Sequence, residues 1–184
     1  MRIPVRQLLR SLPLLLAVCV TVVSACDEQD PFIVPDRSPL DIWRDDVQFV
    51  DATNVPQAQI DRFVAANNMD TLVTETGLVY QLDDPGGAER PSVGDSVTVD
   101  YRGYLVDGRI FDQTTVQGPA EFPLTNLIDA WKEGIPLMGR GGRMWMVVRP
   151  SLGYGTGGNP RAGISGSSVI VFEIELVDFV DLTP

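Results

Sequence analysis

Residues 97–112, VTVDYRGYLVDGRIFD, constrain the fold more than any other stretch of the chain. Val97, Val99 and Tyr101 alternate with Thr98, Asp100 and Arg102, a period of two that suits a strand buried on one face and wet on the other. Gly103 stands where a β-bulge would fit, and the Asp107-Gly108 pair tolerates the positive dihedrals of a tight turn. The segment therefore reads as an antiparallel hairpin. It closes on Phe111 and Asp112, an aromatic beside a carboxylate with no reactive partner nearby in sequence.

What the chain lacks narrows its chemistry. It contains no histidine, and its cysteines are Cys19 and Cys26 alone. Whatever it does must come from shape, apolar enclosure and hydrogen bonding, and neither a cofactor nor a metal is expected.

The start of the chain indicates where it works. Arg2, Arg6 and Arg10 precede an apolar run from Leu12 to Val23, which leads into Val23-Ser24-Ala25-Cys26. The run is well short of the roughly 20 residues that a membrane-spanning helix needs, so residues 1–25 read as a leader. Its ending resembles the lipobox of bacterial lipoproteins, which implies lipid on Cys26 and attachment to a membrane of the bacterial envelope, at the periplasmic face or the cell surface. An ordinary cleaved signal with an incidental cysteine is the alternative. Cys19 would leave with the leader, so no disulfide is available and the core must suffice. Losing three arginines and no acids moves the formal charge from −11 to −14. Such a surface repels nucleic acid and anionic headgroups. Asp27, Glu28 and Asp30 come directly after the cysteine, where acids serve some lipoproteins as a sorting signal.

Beyond Cys26 the chain is about one domain long. Residues 26–40, punctuated by Pro31, Pro35 and Pro39, suit an extended tether. Residues 41–70 read as a helical extension. Within it Ile42, Trp43, Val47 and Val50 fit one helical face, and a clearer helix begins at Pro56, capped by Thr53 or Asn54. Ile60, Phe63 and Val64 line that helix before Asn67-Asn68 ends it. From residue 71 to 184 the period changes to strands, at Val79 to Leu82, Val97 to Arg102, after Asp107-Gly108, at Arg143 to Val148 and at Ser168 to Phe179. A helix is expected from Leu127 to Glu133, capped by Thr125 or Asn126 and ended by Gly134. The class is α+β: a five- to six-stranded antiparallel sheet with one short helix against it.

Four blocks then carry a resemblance: VTVDYRGYLVDGRIFD, FPLTNLIDAWKEGIPLM, GYGTGGNP and VIVFEIELVDF, in register from about residue 78 to 180. Together they resemble the FKBP family of peptidyl-prolyl isomerases. The resemblance implies a strongly curved antiparallel sheet wrapped around a short helix, with an apolar pocket between them. It also implies proline-containing polypeptides as substrates and rapamycin-like macrolides as inhibitors. Rotation about an X-Pro bond crosses a barrier near ~20 kcal/mol without changing any covalent bond. Neither nucleophile nor base is needed, which suits the inventory of residues.

Carried over residue by residue, the resemblance makes Asp112, Tyr154, Trp131 and Phe111 the catalytic group. Trp131 would lie under the proline ring, Tyr154 would hydrogen-bond a substrate carbonyl, and Asp112 would act electrostatically near the amide. Tyr101, Phe122, Leu127, Ile128, Ile164 and Phe172 would form the substrate-binding wall. Three departures stand out: Ala120 where an aromatic is frequent, Asn159 where a histidine is common, and Gly163-Ile164-Ser165-Gly166 in place of a proline-richer tip. Ala120 should open one wall, Asn159 should remove a contact, and the extra glycine should loosen the loop. A proline-recognising chaperone or binding module with weak catalysis is the second function these residues allow.

Overall fold

The alternation at residues 97–102 extends into a ten-residue strand around which the rest is arranged. The structure is a computed structural model that describes residues 47–48 and 55–182. Its strands are β1 (Leu72–Val73), β2 (Val79–Asp84), β3 (Ser96–Leu105), β4 (Ile110–Gln113), β5 (Ala120–Pro123), β6 (Gly142–Val148) and β7 (Ile170–Val180). They form one antiparallel sheet in the order β1-β2-β6-β7-β3-β4, with β5 also paired to β3. The long strand β3 is thus shared along one edge, by β5 at residues 96–99 and by β4 at residues 102–104. Seven strands stand where five or six were expected. The two that sequence patterning missed, β1 and β5, have two and four residues, too few to show a period.

The sheet has two occupied faces. On the inner face Val99, Met144, Met146 and Ile174 pack beneath a short helix, α2 (Asp129–Gly134), through Ala130 and Trp131. On the outer face Val79, Tyr104, Trp145 and Val171 meet Ile60 and Phe63 of the helix α1 (Pro56–Ala66). Tyr104 and Trp145 stack there at 6.3 Å between centroids, with ring planes 4° apart. Asn67 ends α1, and its amide grips the backbone of Gln48 at both N and O, 2.7 and 2.9 Å away. Val55, not Thr53 or Asn54, is the residue before the first turn of α1, and no side chain caps it. Thr53, Asn54, Ile42, Trp43, Val50 and the residues of the leader and tether lie outside the described residues.

The second helix begins later than expected. Leu124–Asn126 form a 3-10 turn, Leu127 and Ile128 are extended, and α2 starts at Asp129 with no side-chain cap from Thr125 or Asn126. An acid in the first turn meets the positive end of the helix instead. Gly134 is the last residue of α2, but its backbone is helical and not left-handed, and the chain runs on into a 3-10 turn at Ile135–Leu137. The absence of a side chain there leaves room for the Met146 sulfur, which a Cβ would displace. At the β3–β4 hairpin only Gly108 has positive φ, at 93°. The turn is a three-residue loop closed by Gly108 N–H to Leu105 O and Leu105 N–H to Arg109 O, not a two-residue turn.

Phe63 is 0% exposed and, with Ile60, forms the buried apolar face of α1. Phe63→Ala is expected to lower the unfolding free energy by about 3 kcal/mol, read from urea denaturation. An unchanged midpoint would show that α1 is not part of the cooperative unit.

Candidate active site

The concave side of the sheet and α2 leave a hollow of about 110 Å³. Its walls come from six places in the chain: Tyr101 on β3, Phe111 and Asp112 on β4, Phe122 on β5, Leu127 and Ile128 just before α2 with Trp131 on it, Tyr154 in the loop after β6, and Phe172 on β7. For scale, an apolar cavity of about 150 Å³ holds one benzene molecule. The hollow is therefore sized for a single small ring. Larger hollows lie beside α1, of about 400 and 250 Å³, but no aromatic side chain lines either.

Trp131 organises the aromatic walls. It is 4% exposed and meets Tyr101, Phe172 and Phe122 edge-on, at centroid distances of 5.1, 5.3 and 6.3 Å and interplanar angles of 85°, 83° and 84°. Phe111 in turn meets Phe172 at 5.5 Å and 86°. Perpendicular rings set positive edges against negative faces, worth about 0.5–1.5 kcal/mol per pair beyond burial. The five rings therefore fix one another. The Trp131 Nε1 is buried without a hydrogen-bond partner.

Local backbone geometry explains how two neighbouring residues both reach the hollow. Gly103 opposes Asp112 and Tyr104 opposes Ile110, so Phe111 is an extra residue on β4. Consecutive strand residues normally face opposite ways, and a bulge suspends that rule. The bulge expected at Gly103 thus belongs to the strand opposite it. Asp112 Oδ2 accepts a 2.7 Å hydrogen bond from the Tyr101 hydroxyl, and its Oδ1 accepts one of 2.9 Å from the Gln113 N–H. That link between residues eleven apart went unread in the sequence, because it depends on where the bulge falls.

Nine of the ten anticipated pocket residues surround one hollow. Ile164 does not: it is 2% exposed, packed in the inner core and tied to Asn159 by paired backbone hydrogen bonds. Those bonds, with Ser167 N–H to Gly155 O, stitch together the two legs of the glycine-rich loop, and Gly158 N–H to Tyr154 O closes a turn within the first leg. Ala120 is half-buried opposite Val99 and does not line the hollow, so Phe122 is the one β5 residue that does. The Asn159 side chain stands close enough to Tyr154 to oppose the rise in the pKa of its hydroxyl.

Known proteins share both this sequence pattern and this architecture. Residues 87–177 match the family model of the FKBP-type peptidyl-prolyl cis-trans isomerases. The domain belongs to that family. A relative named FKBP-type peptidyl-prolyl cis-trans isomerase FkpA, from Escherichia coli strain K12, is 42% identical over 106 residues, which are 57% of this chain and 38% of that one. The crystal structure of FkpA from Escherichia coli superposes with a TM-score of 0.64 at 35% identity, covering 70% of this chain and 59% of that one. A peptidyl-prolyl cis-trans isomerase from Pseudomonas syringae pv. tomato superposes with a TM-score of 0.58 at 28% identity over 70% of this chain and 98% of that one. This FKBP domain thus spans well under half the length of the Escherichia coli relative and nearly all of the Pseudomonas structure.

Electrostatics in the FKBP hollow favour neutral hydroxyls. Burial pushes the Tyr101 hydroxyl far above the ordinary tyrosine value, and its bond to Asp112 pushes it further. Burial also raises Tyr154, with the Asp112 charge adding to it and Asn159 opposing. Both are held protonated more firmly in the folded chain than in the unfolded one. The stability this confers is complete below about pH 10, the unfolded tyrosine value, and is lost as pH rises beyond it. Melting temperature is expected to fall steeply only above about pH 10. Tyr101→Phe should make that alkaline fall shallower, and an unaltered slope would remove Tyr101 from the account.

Proposed function

We propose that this chain is a peptidyl-prolyl cis-trans isomerase that acts on exported polypeptides and is held at the bacterial envelope by lipid on Cys26. The observation that carries the isomerase reading is the ring cage around Trp131, open to one small ring and edged by the hydrogen-bonded Asp112–Tyr101 pair. The names of the FKBP-type relatives support the same activity.

The physical mechanism needs no proton transfer. A planar amide is more polar than a twisted one, so water around the carbonyl favours the planar form. Placing the prolyl ring among Trp131, Phe111, Phe122 and Phe172 strips that water away. Asp112 and the Tyr154 hydroxyl then provide a fixed electrostatic setting for the twisted amide, which costs no reorganisation as the bond turns. The unpartnered Trp131 Nε1 is a further buried donor in the wall. Lowering the barrier by about 5 to 7 kcal/mol would speed rotation on the order of ten thousand- to a hundred thousand-fold. In this reading residues 1–25 are the leader, 26–40 the tether, 41–70 the extension and 71–184 the isomerase domain.

One observation favours the second reading, a proline-binding module with slow turnover: Ala120 does not reach the hollow, so β5 contributes one ring to its enclosure. An isomerisation assay on an X-Pro peptide separates the two. Macrolide-sensitive acceleration supports the enzyme, whereas peptide binding without acceleration supports the module. Tyr154→Phe removes one hydrogen bond, about 1 kcal/mol or about fivefold in kcat/KM. Asp112→Ala removes a charged acceptor, about 2 kcal/mol or about thirtyfold. Both variants should fold, and if neither changes turnover the assignment of these two residues fails. For the anchor, Cys26→Ser in the full chain should abolish incorporation of labelled fatty acid and release the protein from membranes. Persistent labelling would place the lipid elsewhere.

A further inference from the structure

Gly103 lies towards the end of β3, directly between two hollow-lining residues: it opposes Asp112 on β4 and Phe172 on β7. Its neighbours on the same face, Tyr101 and Leu105, both carry large buried side chains. A Cβ built at Gly103 would lie 2.6 and 2.8 Å from Cζ and Cε2 of Phe111, and 3.0 Å from Cε1 of Phe172. No backbone atom is among these closest contacts. The φ of Gly103 is not among the positive ones, so the strand conformation itself suits any residue. What glycine supplies here is space, and two aromatic rings occupy it.

We propose that Gly103 is a positioning residue of the isomerase site: the vacancy above its Cα is the seat of the Phe111 ring. Two features of the structure act together. The extra residue on β4 turns Phe111 inward, where regular pairing would set it opposite Tyr104, a residue of the outer core. The missing side chain at Gly103 then lets that ring settle across β3 and meet Phe172 edge-on at 5.5 Å. The bulge supplies direction and the glycine supplies depth. With any side chain at position 103, Phe111 would be lifted off the sheet and into the hollow, or Phe172 pushed towards Trp131.

This inference rests on the isomerase reading for its kinetic consequence, but its structural half is measurable without turnover. Gly103→Ala is expected to weaken or abolish the proton–proton contacts between the Phe111 and Phe172 rings that NMR detects in the unaltered chain. Where the unaltered chain is active, the same substitution should lower kcat/KM by about 10- to 100-fold, the scale of an ångström's displacement in a site, with most of the loss in KM because the hollow is obstructed. Phe111→Leu makes room for the added methyl, so Gly103→Ala should cost less than about threefold in that background, under about 0.7 kcal/mol, the shortfall from its cost in the unaltered chain being the coupling between the two positions. Should Gly103→Ala alone fail to fold, the double variant should fold. The proposal is overturned if the ring contacts survive in Gly103→Ala, if the kinetic loss is the same in both backgrounds, or if the double variant also fails to fold. Absence of any activity in the unaltered chain would instead sink the functional reading and leave the ring contacts as the deciding measurement.

Discussion

A helix of six residues has almost no stability of its own, since isolated helices shorter than about 12–15 residues are marginal in water. α2 persists because Trp131 and Ala130 are driven into the concave face of the sheet. The indole meets three perpendicular rings from β3, β5 and β7, so it anchors the helix, completes the core and forms part of the hollow's wall at once. Curvature of the sheet, placement of the helix and existence of the hollow are therefore consequences of one packing arrangement. A smaller residue at 131 would disturb all three together.

The two faces of the sheet divide the work. The inner face holds the hollow and its aromatic walls. The outer face is sealed by α1 through Ile60 and Phe63, and fastened at the far end of that helix by the Asn67–Gln48 pairing. Strands β3 and β7 contribute alternate residues to both, which couples stability on one side to geometry on the other. Polar contacts tune this frame. Arg140, for instance, spans Glu89, Asp178 and the carbonyl of Phe179 while its guanidinium sits 3.9 Å above the Phe179 ring, and so holds the end of β7.

Much of the site was legible because strand periodicity and block order survive in a single sequence. Alternation placed Tyr101 inward, and the four blocks brought Phe111, Asp112, Trp131, Tyr154 and Phe172 into one expectation. Three features were not legible, each for a physical reason. The bulge at Phe111 is a register shift, and register depends on the partner strand. Ile164 lies in the core and not the wall because backbone pairing with Asn159 holds it there. The strand β5 is too short for a pattern and forms only because β3 offers an unpaired edge.

The sequence by itself determined the scaffold and its inventory: a strand alternation and four blocks in register set an α+β fold, and the aromatics and the acid that line the hollow are all named in it. Only the tertiary structure decided which neighbours share a face. A glycine and a bulge signal can be read along the chain, but which strand bulges and which ring fills the space are defined by the strands that pack beside them. That is why Phe111 and Asp112, adjacent in sequence and on opposite faces of any regular strand, converge on the same hollow.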